Sequence, residues 1–117
     1  MLKEEGEHNK LEHVVVFITA ATADEAQSIS NILVSRRKAA CVNIVPQVHS
    51  TFWWQGKIEY ANEALLIVKT KATLLEELIG LVKQNHSYDV PEIIALPIIG
   101  GNRDYLQWLD DETGLKL

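Results

Sequence analysis

The 117-residue sequence predicts an α+β domain with elements in the order β-α-β-β-α-β and one further helix at the C-terminus. Three observations lead to this prediction. Apolar runs rich in β-branched residues mark the strands, segments with helical spacing of apolar residues alternate with them, and a long hairpin occupies the middle. Two β-α-β halves with right-handed crossovers give a split, ferredoxin-like antiparallel sheet with strand order 4-1-3-2.

The first strand and the first helix are predicted from local sequence. Residues 13–19 form a continuous apolar run, which is typical of a central strand covered on both faces. Thr22 and Glu25 have the spacing of a capping box, and apolar residues then recur at helical spacing. We interpret the basic run 36–38 as a solvated helix end rather than an anion site.

The longest predicted element is a hairpin of two strands over residues 39–70, which turns at Gly56. Two registers are possible. A two-residue loop pairs Trp54 with Lys57, and a three-residue loop pairs Trp53 with Lys57. The second register keeps the apolar side chains together on one face, whereas the first mixes them with charged residues at the tip. We therefore predict the three-residue loop.

The hairpin is also predicted to contact other copies of the chain. Its strands exceed the ~5–6 residues typical of globular proteins, so the hairpin extends beyond its own sheet. An exposed apolar strand edge is prone to aggregation unless another chain covers it. We predict that Phe52, Trp53 and Trp54 at the tip form the interface between copies.

A second helix, a fourth strand and a third helix follow the hairpin. The second helix is predicted to begin with a capping box at residues 73–76 and to end near Gln84. Residues 92–99 form the fourth strand, and Asn102 is predicted to cap the last helix.

The positions of two prolines provide an independent check on the strand order. Pro46 lies in the second strand and Pro97 in the fourth, which are the two edges of the predicted sheet. Proline cannot donate a hydrogen bond to a neighbouring strand, so it is confined to edges and bulges. The strand order therefore agrees with the proline positions.

Composition limits the classes of function. A net charge of −5 argues against nucleic-acid binding, which needs a basic face. No apolar run approaches the ~20 residues of a membrane span, and the acidic N-terminus does not resemble a targeting segment. A single cysteine excludes an internal disulfide and suits a reducing compartment. We expect one cytoplasmic domain over residues 13–114, with a loose tail at residues 1–12, and no membrane or nucleic-acid partner.

Chemically informative residues concentrate between the second helix and the fourth strand. Residues 86–92 supply an imidazole, a phenol and two carboxylates within a predicted loop, where binding residues are often found. His86 and these carboxylates could contact a divalent cation, but one histidine makes a weak site without donors from elsewhere. We find no combination of nucleophile, base and orienting group in the sequence, and therefore predict that the chain is not an enzyme.

Several sequence blocks resemble the CutA family, the divalent-cation tolerance proteins. The blocks are Ala39–Ile44, Phe52–Glu59, Lys69–Thr70, His86–Ile93 and Asp104–Leu109. The resemblance implies a ferredoxin-like subunit in a homotrimer similar to the PII signalling proteins, acting in the tolerance of copper and other divalent cations.

The resemblance also bears on metal binding. Some family members are thought to hold copper with a cysteine near the end of strand one and two adjacent histidines after the second helix. This chain has Ile18 at the cysteine position and Asn85-His86 at the histidine pair. His86 is therefore the candidate metal residue, and Cu(II) or another divalent cation is the candidate ligand, with no cofactor assigned firmly.

Two alternatives remain open at the sequence level. In the first, the chain is a PII-like signalling trimer that binds a small ligand in clefts between subunits. By position, these clefts would be lined by Glu59, Lys69, His86 and Tyr88. In the second, the chain is a stable scaffold for a protein partner.

Overall fold

A computed structural model describes residues 12–114, and its elements follow the predicted order. They are β1 (His13–Ala20), α1 (Ala23–Ser35), β2 (Cys41–Trp54), β3 (Lys57–Lys71), a 3₁₀ turn (Ala72–Leu74), α2 (Leu75–Gln84), β4 (Ile93–Pro97) and α3 (Arg103–Glu112). The strands form one antiparallel sheet in the order β2-β3-β1-β4, which confirms the predicted order 4-1-3-2. Except for Glu12, the predicted tail lies outside the described residues.

One face of the sheet carries the hydrophobic core. Buried residues alternate along β1 and β3 with half-buried residues on the opposite face, as the two-residue repeat of a strand requires. Its fully buried apolar residues include Val16, Ile18, Ala20, Ala26, Ile29, Leu33, Ala39, Ala64, Leu66, Val68, Leu78 and Val82. Val15 and Phe17, on the other face of β1, are only half-buried. Within residues 12–114, β1 is therefore covered on one face, and the prediction of cover on both faces is wrong for the other face.

The C-terminal helix α3 is anchored at the end of the sheet where β1 begins. Leu109 is fully buried, and the His13 Nε2 and Asp110 Oδ1 atoms lie 2.9 Å apart. The predicted cap of α3 is confirmed, because the Asn102 side chain accepts a hydrogen bond from the Asp104 N–H at 2.9 Å. Across residues 12–114, no helix is long and apolar enough to cross a membrane.

Both edge prolines lie where the sequence predicts. Pro46 is in β2 and Pro97 is in β4, the two outer strands of the sheet. Pro46 has a second effect, because the register between β2 and β3 shifts between Val45 and Val48. The shift corresponds to a β-bulge, which places one extra residue on β2 and suits a residue that cannot donate to the ladder.

The bulge makes the predicted three-residue hairpin loop wrong. Near the base of the hairpin, Val42 lies opposite Val68, which is the register that the three-residue loop implies. Beyond the bulge the register shifts by one residue, so Trp54 lies opposite Lys57 and a two-residue loop connects the strands. The register at the base and the different register at the tip can both occur in one hairpin because the bulge lies between them.

The two loop residues have left-handed backbone conformations. Gln55 has φ 52° and Gly56 has φ 81°, as a type I′ turn requires at its two central positions. Glycine adopts this conformation without strain, whereas glutamine does so less readily than asparagine.

Gln55→Asn is expected to raise the free energy of unfolding by roughly 0.5 kcal/mol, because asparagine tolerates the left-handed region better than glutamine. Gln55→Ala is expected to change it little, since alanine, like glutamine, lacks that tolerance. Urea denaturation of the three proteins at one concentration measures both effects. Equal midpoints for the asparagine and alanine variants would show that this turn conformation does not limit stability.

Of the two predicted capping boxes, only the first forms its side-chain cap, and its carboxylate accepts the Ala21 N–H rather than the Thr22 N–H. The Thr22 hydroxyl accepts a hydrogen bond from the Glu25 N–H at 3.0 Å, which confirms the cap of α1. The predicted box at Thr73 is wrong, because Thr73 lies inside the 3₁₀ turn and α2 begins at Leu75. The Leu75 N–H donates a hydrogen bond to the Ala72 carbonyl instead. The backbone of the 3₁₀ turn therefore satisfies an N–H group at the start of α2 in place of a side-chain cap.

The basic run after α1 ties three helices together and is more than a solvated helix end. Arg37 Nη1 lies 2.7 Å from Glu112 Oε1 in α3, and Lys38 Nζ lies 2.5 Å from Glu77 Oε1 in α2. Exposed ion pairs contribute only ~0–1 kcal/mol each to stability. They join the segment after α1 to α2 and α3.

Candidate functional site

The loop between α2 and β4 crosses the end of β1 beside the beginning of α1. It begins where α2 ends, and there the Asn85 side chain donates a hydrogen bond to the Leu81 carbonyl at 2.8 Å. Pro91 disfavours a helical conformation for the residue before it, so the loop stays irregular up to β4. The loop therefore presents His86 and Tyr88 at a fixed position over the sheet.

Both ring nitrogens of His86 are hydrogen-bonded. Nε2 lies 2.7 Å from the Thr19 carbonyl oxygen, and Nδ1 accepts the Tyr88 N–H at 3.0 Å. The imidazole therefore joins the end of β1 to the loop's own backbone. The ring also packs against the Tyr88 ring, with centroids 4.9 Å apart.

Glu25, in the first turn of α1, holds the same loop from the other side. Its carboxylate accepts the Ser87 N–H at 2.6 Å and the Ser87 hydroxyl at 3.1 Å. It also accepts the Ala21 N–H at 2.9 Å. Burial by itself raises the pKa of Glu25, but these hydrogen bonds and nearby His86 outweigh burial and leave the pKa below its ordinary value. The ionised carboxylate is therefore the form that holds the loop.

A second carboxylate holds Tyr88. The Tyr88 hydroxyl donates to Glu63 Oε2 at 2.8 Å, and Glu63 is buried with 7% of its surface exposed. Burial, this hydrogen bond and the negative charges of Glu63 and Glu25 raise the pKa of Tyr88 to about 12. The phenol therefore stays protonated and remains a hydrogen-bond donor at neutral pH.

The structure brings only two of the four predicted cleft residues together. His86 and Tyr88 are in contact, whereas Glu59 and Lys69 lie ten residues apart along β3. At ~3.3 Å per residue in a strand, that separation is roughly 33 Å. The Lys69 ammonium donates to the Asn43 side chain on the neighbouring strand. The cleft lined by all four residues stays a prediction that needs side chains from other copies of the chain.

Three residues of the loop network have no predicted site role. The sequence indicates only a helix-cap role for Glu25, and it indicates no individual role for Glu63 or Ser87. Glu25 lies three residues after Thr22, and the helix cap alone explains a carboxylate at that position. The sequence therefore gives no sign that Glu25 also binds the loop. Glu63 directly precedes the apolar run 64–68, which weakly indicates a carboxylate close to the core.

The loop does not make a cation site in this conformation. Across residues 12–114, no group of three or more His, Cys, Asp or Glu side chains is placed to hold a metal ion. His86 could bind a cation only through an unprotonated ring nitrogen, and neither nitrogen is free. The metal-binding role of His86 remains a prediction. A bound cation would have to displace the Thr19 carbonyl or the Tyr88 N–H from the ring.

The predicted interface residues lie at the tip of the hairpin and are exposed. The exposed fractions are 40% for Phe52, 72% for Trp53 and 48% for Trp54. Exposure of large aromatic groups in one short segment is unusual on a protein surface that contacts only water. Their role as an interface between copies stays a prediction.

The fold and the loop together define a ferredoxin-like α+β protein with a histidine-bearing loop fastened over the end of its first strand. Within this class, the chain belongs to the CutA1 divalent ion tolerance protein family, whose model matches residues 14–112.

Individual relatives agree with this assignment. The chain is 48% identical over 100 residues to the rice "Protein CutA 1, chloroplastic", covering 86% of this chain and 56% of that protein. It is 49% identical over 100 residues to the Thermus thermophilus "Divalent-cation tolerance protein CutA", covering 86% and 97% respectively. The crystal structure of CutA1 from Oryza sativa superposes with a TM-score of 0.87 at 45% identity, covering 91% of this chain and 97% of that one. The chain thus spans little more than half the length of the rice protein.

Proposed function

We propose that this chain acts in the tolerance of divalent metal ions as a non-enzymatic homotrimer. Membership of the CutA1 family supports the link to divalent cations. The proposal of three copies rests on the resemblance to the family. The overhanging hairpin supports association between copies but does not specify their number. The polar groups of the loop support a non-enzymatic role, because their hydrogen bonds hold the loop itself.

The observation that carries the proposal is the length of the hairpin relative to the rest of the sheet. β1 pairs with residues 64–71 of β3, so residues 57–63 pair only with β2 in the part of the chain that the structure describes. A two-stranded hairpin without further cover is marginally stable in water. Its free strand edges and apolar side chains are therefore available to another chain.

The side chains of the overhang fit a second copy of the same chain. Ile58 is 50% exposed and Tyr60 is 77% exposed, beside the exposed tryptophans at the tip. The open face of the sheet carries further exposed apolar residues, with Ile94 at 52% and Leu96 at 47% on β4. Each copy has both an apolar hairpin and an apolar sheet face, so copies can cover one another in a closed ring.

We propose further that direct contact with copper or another divalent cation is weak while the loop is closed. The closed loop uses both nitrogens of His86, and a cation must break a hydrogen bond to reach either one. The relation to metal tolerance is then indirect or depends on a loop conformation other than the closed one.

A calorimetric titration of Cu(II) into the wild-type chain, His86→Ala and His49→Ala tests this part of the proposal. His49 is a matched control because it is an exposed histidine on β2, whose Nδ1 lies 2.6 Å from Asn62 Oδ1. We expect weak binding that changes little in either variant. Tight, saturable binding lost only in His86→Ala would contradict the proposal and make His86 a direct ligand.

A further inference from the structure

We propose that Glu25 locks the loop at residues 85–88 closed and thereby keeps His86 unavailable to divalent cations. The proposal deepens the function proposed above, on which the choice of a cation as ligand rests. The lock itself is a statement about hydrogen bonds within one chain, and it can be tested without any ligand.

The first step concerns the protonation of His86. A carbonyl oxygen only accepts hydrogen bonds, so the ring nitrogen that faces the Thr19 carbonyl, Nε2, must carry the proton. The other nitrogen, Nδ1, accepts the Tyr88 N–H and therefore carries none. The closed loop thus selects the neutral Nε2–H tautomer, in which the single lone pair is already used. A cation must displace the Tyr88 N–H or the Thr19 carbonyl.

The second step concerns what keeps the loop in place. Ser87 lies between His86 and Tyr88, and both of its hydrogen-bond donors reach the Glu25 carboxylate. Glu25 also binds the Ala21 N–H, two residues beyond the carbonyl that His86 contacts. Glu25 and His86 therefore fasten the same two segments to each other, and hydrogen bonds to an ionised carboxylate are among the stronger ones in proteins.

The third step is the coupling between the lock and the cation. If the closed loop and cation-bound His86 exclude each other, the apparent affinity falls in proportion to the fraction of open loop. Removing the lock raises that fraction. The loss of a hydrogen bond to a charged group is expected to raise the apparent affinity at His86 by on the order of tenfold.

The decisive comparison is Glu25→Gln against Asp24→Asn in the full-length chain. Both changes remove one negative charge from the first turn of α1, but of the two carboxylates only Glu25 is hydrogen-bonded to the loop in the described chain. Zn(II) is the probe, because it is diamagnetic and permits NMR. Three quantities are measured: the Zn(II) dissociation constant, the His86 tautomer from the ring ¹⁵N shifts, and the hydrogen exchange of the Ser87 and Tyr88 amides.

We expect the wild type and Asp24→Asn to show the Nε2–H tautomer and protected amides. In Glu25→Gln we expect faster exchange of both amides and Zn(II) binding about tenfold tighter, with the gain abolished by adding His86→Ala. Ser87→Ala removes only the hydroxyl bond and leaves the cap of α1 intact. It should show a smaller change in the same direction, and it replaces Glu25→Gln if that variant does not fold.

Two results would overturn the lock: an Nδ1–H tautomer in the wild type, or unchanged amide exchange and Zn(II) affinity in Glu25→Gln. Failure of the proposed function is a separate outcome. A chain that sediments as a monomer would contradict the trimer, while the tautomer and exchange data would still decide whether Glu25 locks the loop.

Discussion

Replacement of both Trp53 and Trp54 by serine is expected to leave a folded protomer that no longer assembles. The two side chains are 72% and 48% exposed in the single chain, so they add little to its own stability. In an assembly they are the large aromatic groups nearest the tip of an overhanging hairpin. Aromatic residues at the centre of an interface each contribute ~2 kcal/mol or more. Two of them correspond to a rise in the dissociation constant of roughly 10³-fold or more.

Sedimentation velocity over a range of concentrations measures this effect, with circular dichroism as a check on folding. Val34→Ser is a matched control, because it removes a 42% exposed apolar side chain from α1 rather than from the tip of the hairpin. The control is expected to sediment like the wild type. Unchanged sedimentation of the double tryptophan variant would show that the hairpin tip lies outside the interface.

Leu66→Ala is expected to lower the free energy of unfolding by about 2–5 kcal/mol per chain. Leu66 is fully buried in the middle of β3, between Ile18 on β1 and Ile44 on β2. Its truncation leaves a cavity in the core cluster that the sheet forms with α1 and α2. The expected loss is a large fraction of the 5–15 kcal/mol that stabilises a typical domain.

Urea denaturation of Leu66→Ala and Val34→Ala at the same chain concentration tests this prediction. Equal concentrations matter because assembly adds a concentration-dependent term to apparent stability. The exposed control should lose less than ~0.5 kcal/mol. A loss of similar size in both variants would mean that the face under the helices is not the main core.

The fold was predictable because its determinants are local or repeat along the chain. Two prolines in the second and fourth strands indicated which strands lie at the edges, and the structure confirms both. The register of the hairpin tip was not predictable by face alternation alone. The bulge between Val45 and Val48 reverses that alternation halfway along β2, and Pro46 was already explained by its position in an edge strand.

The candidate site was predictable only in part, for a different physical reason. Sequence alone selected the loop at residues 86–92, because it concentrates titratable groups between two regular elements. It did not reveal that Glu25, 62 residues earlier than Ser87, binds the loop. Such a contact depends on the tertiary packing of α1 and the loop at the end of β1. The local sequence of neither segment predicts that packing.

We expect copies of this chain to cover one another's overhanging hairpins, which sedimentation equilibrium of the wild-type chain can test. The expected result is a single species of three times the 13.2 kDa chain mass at micromolar concentration. A species with the mass of one chain under the same conditions would contradict it.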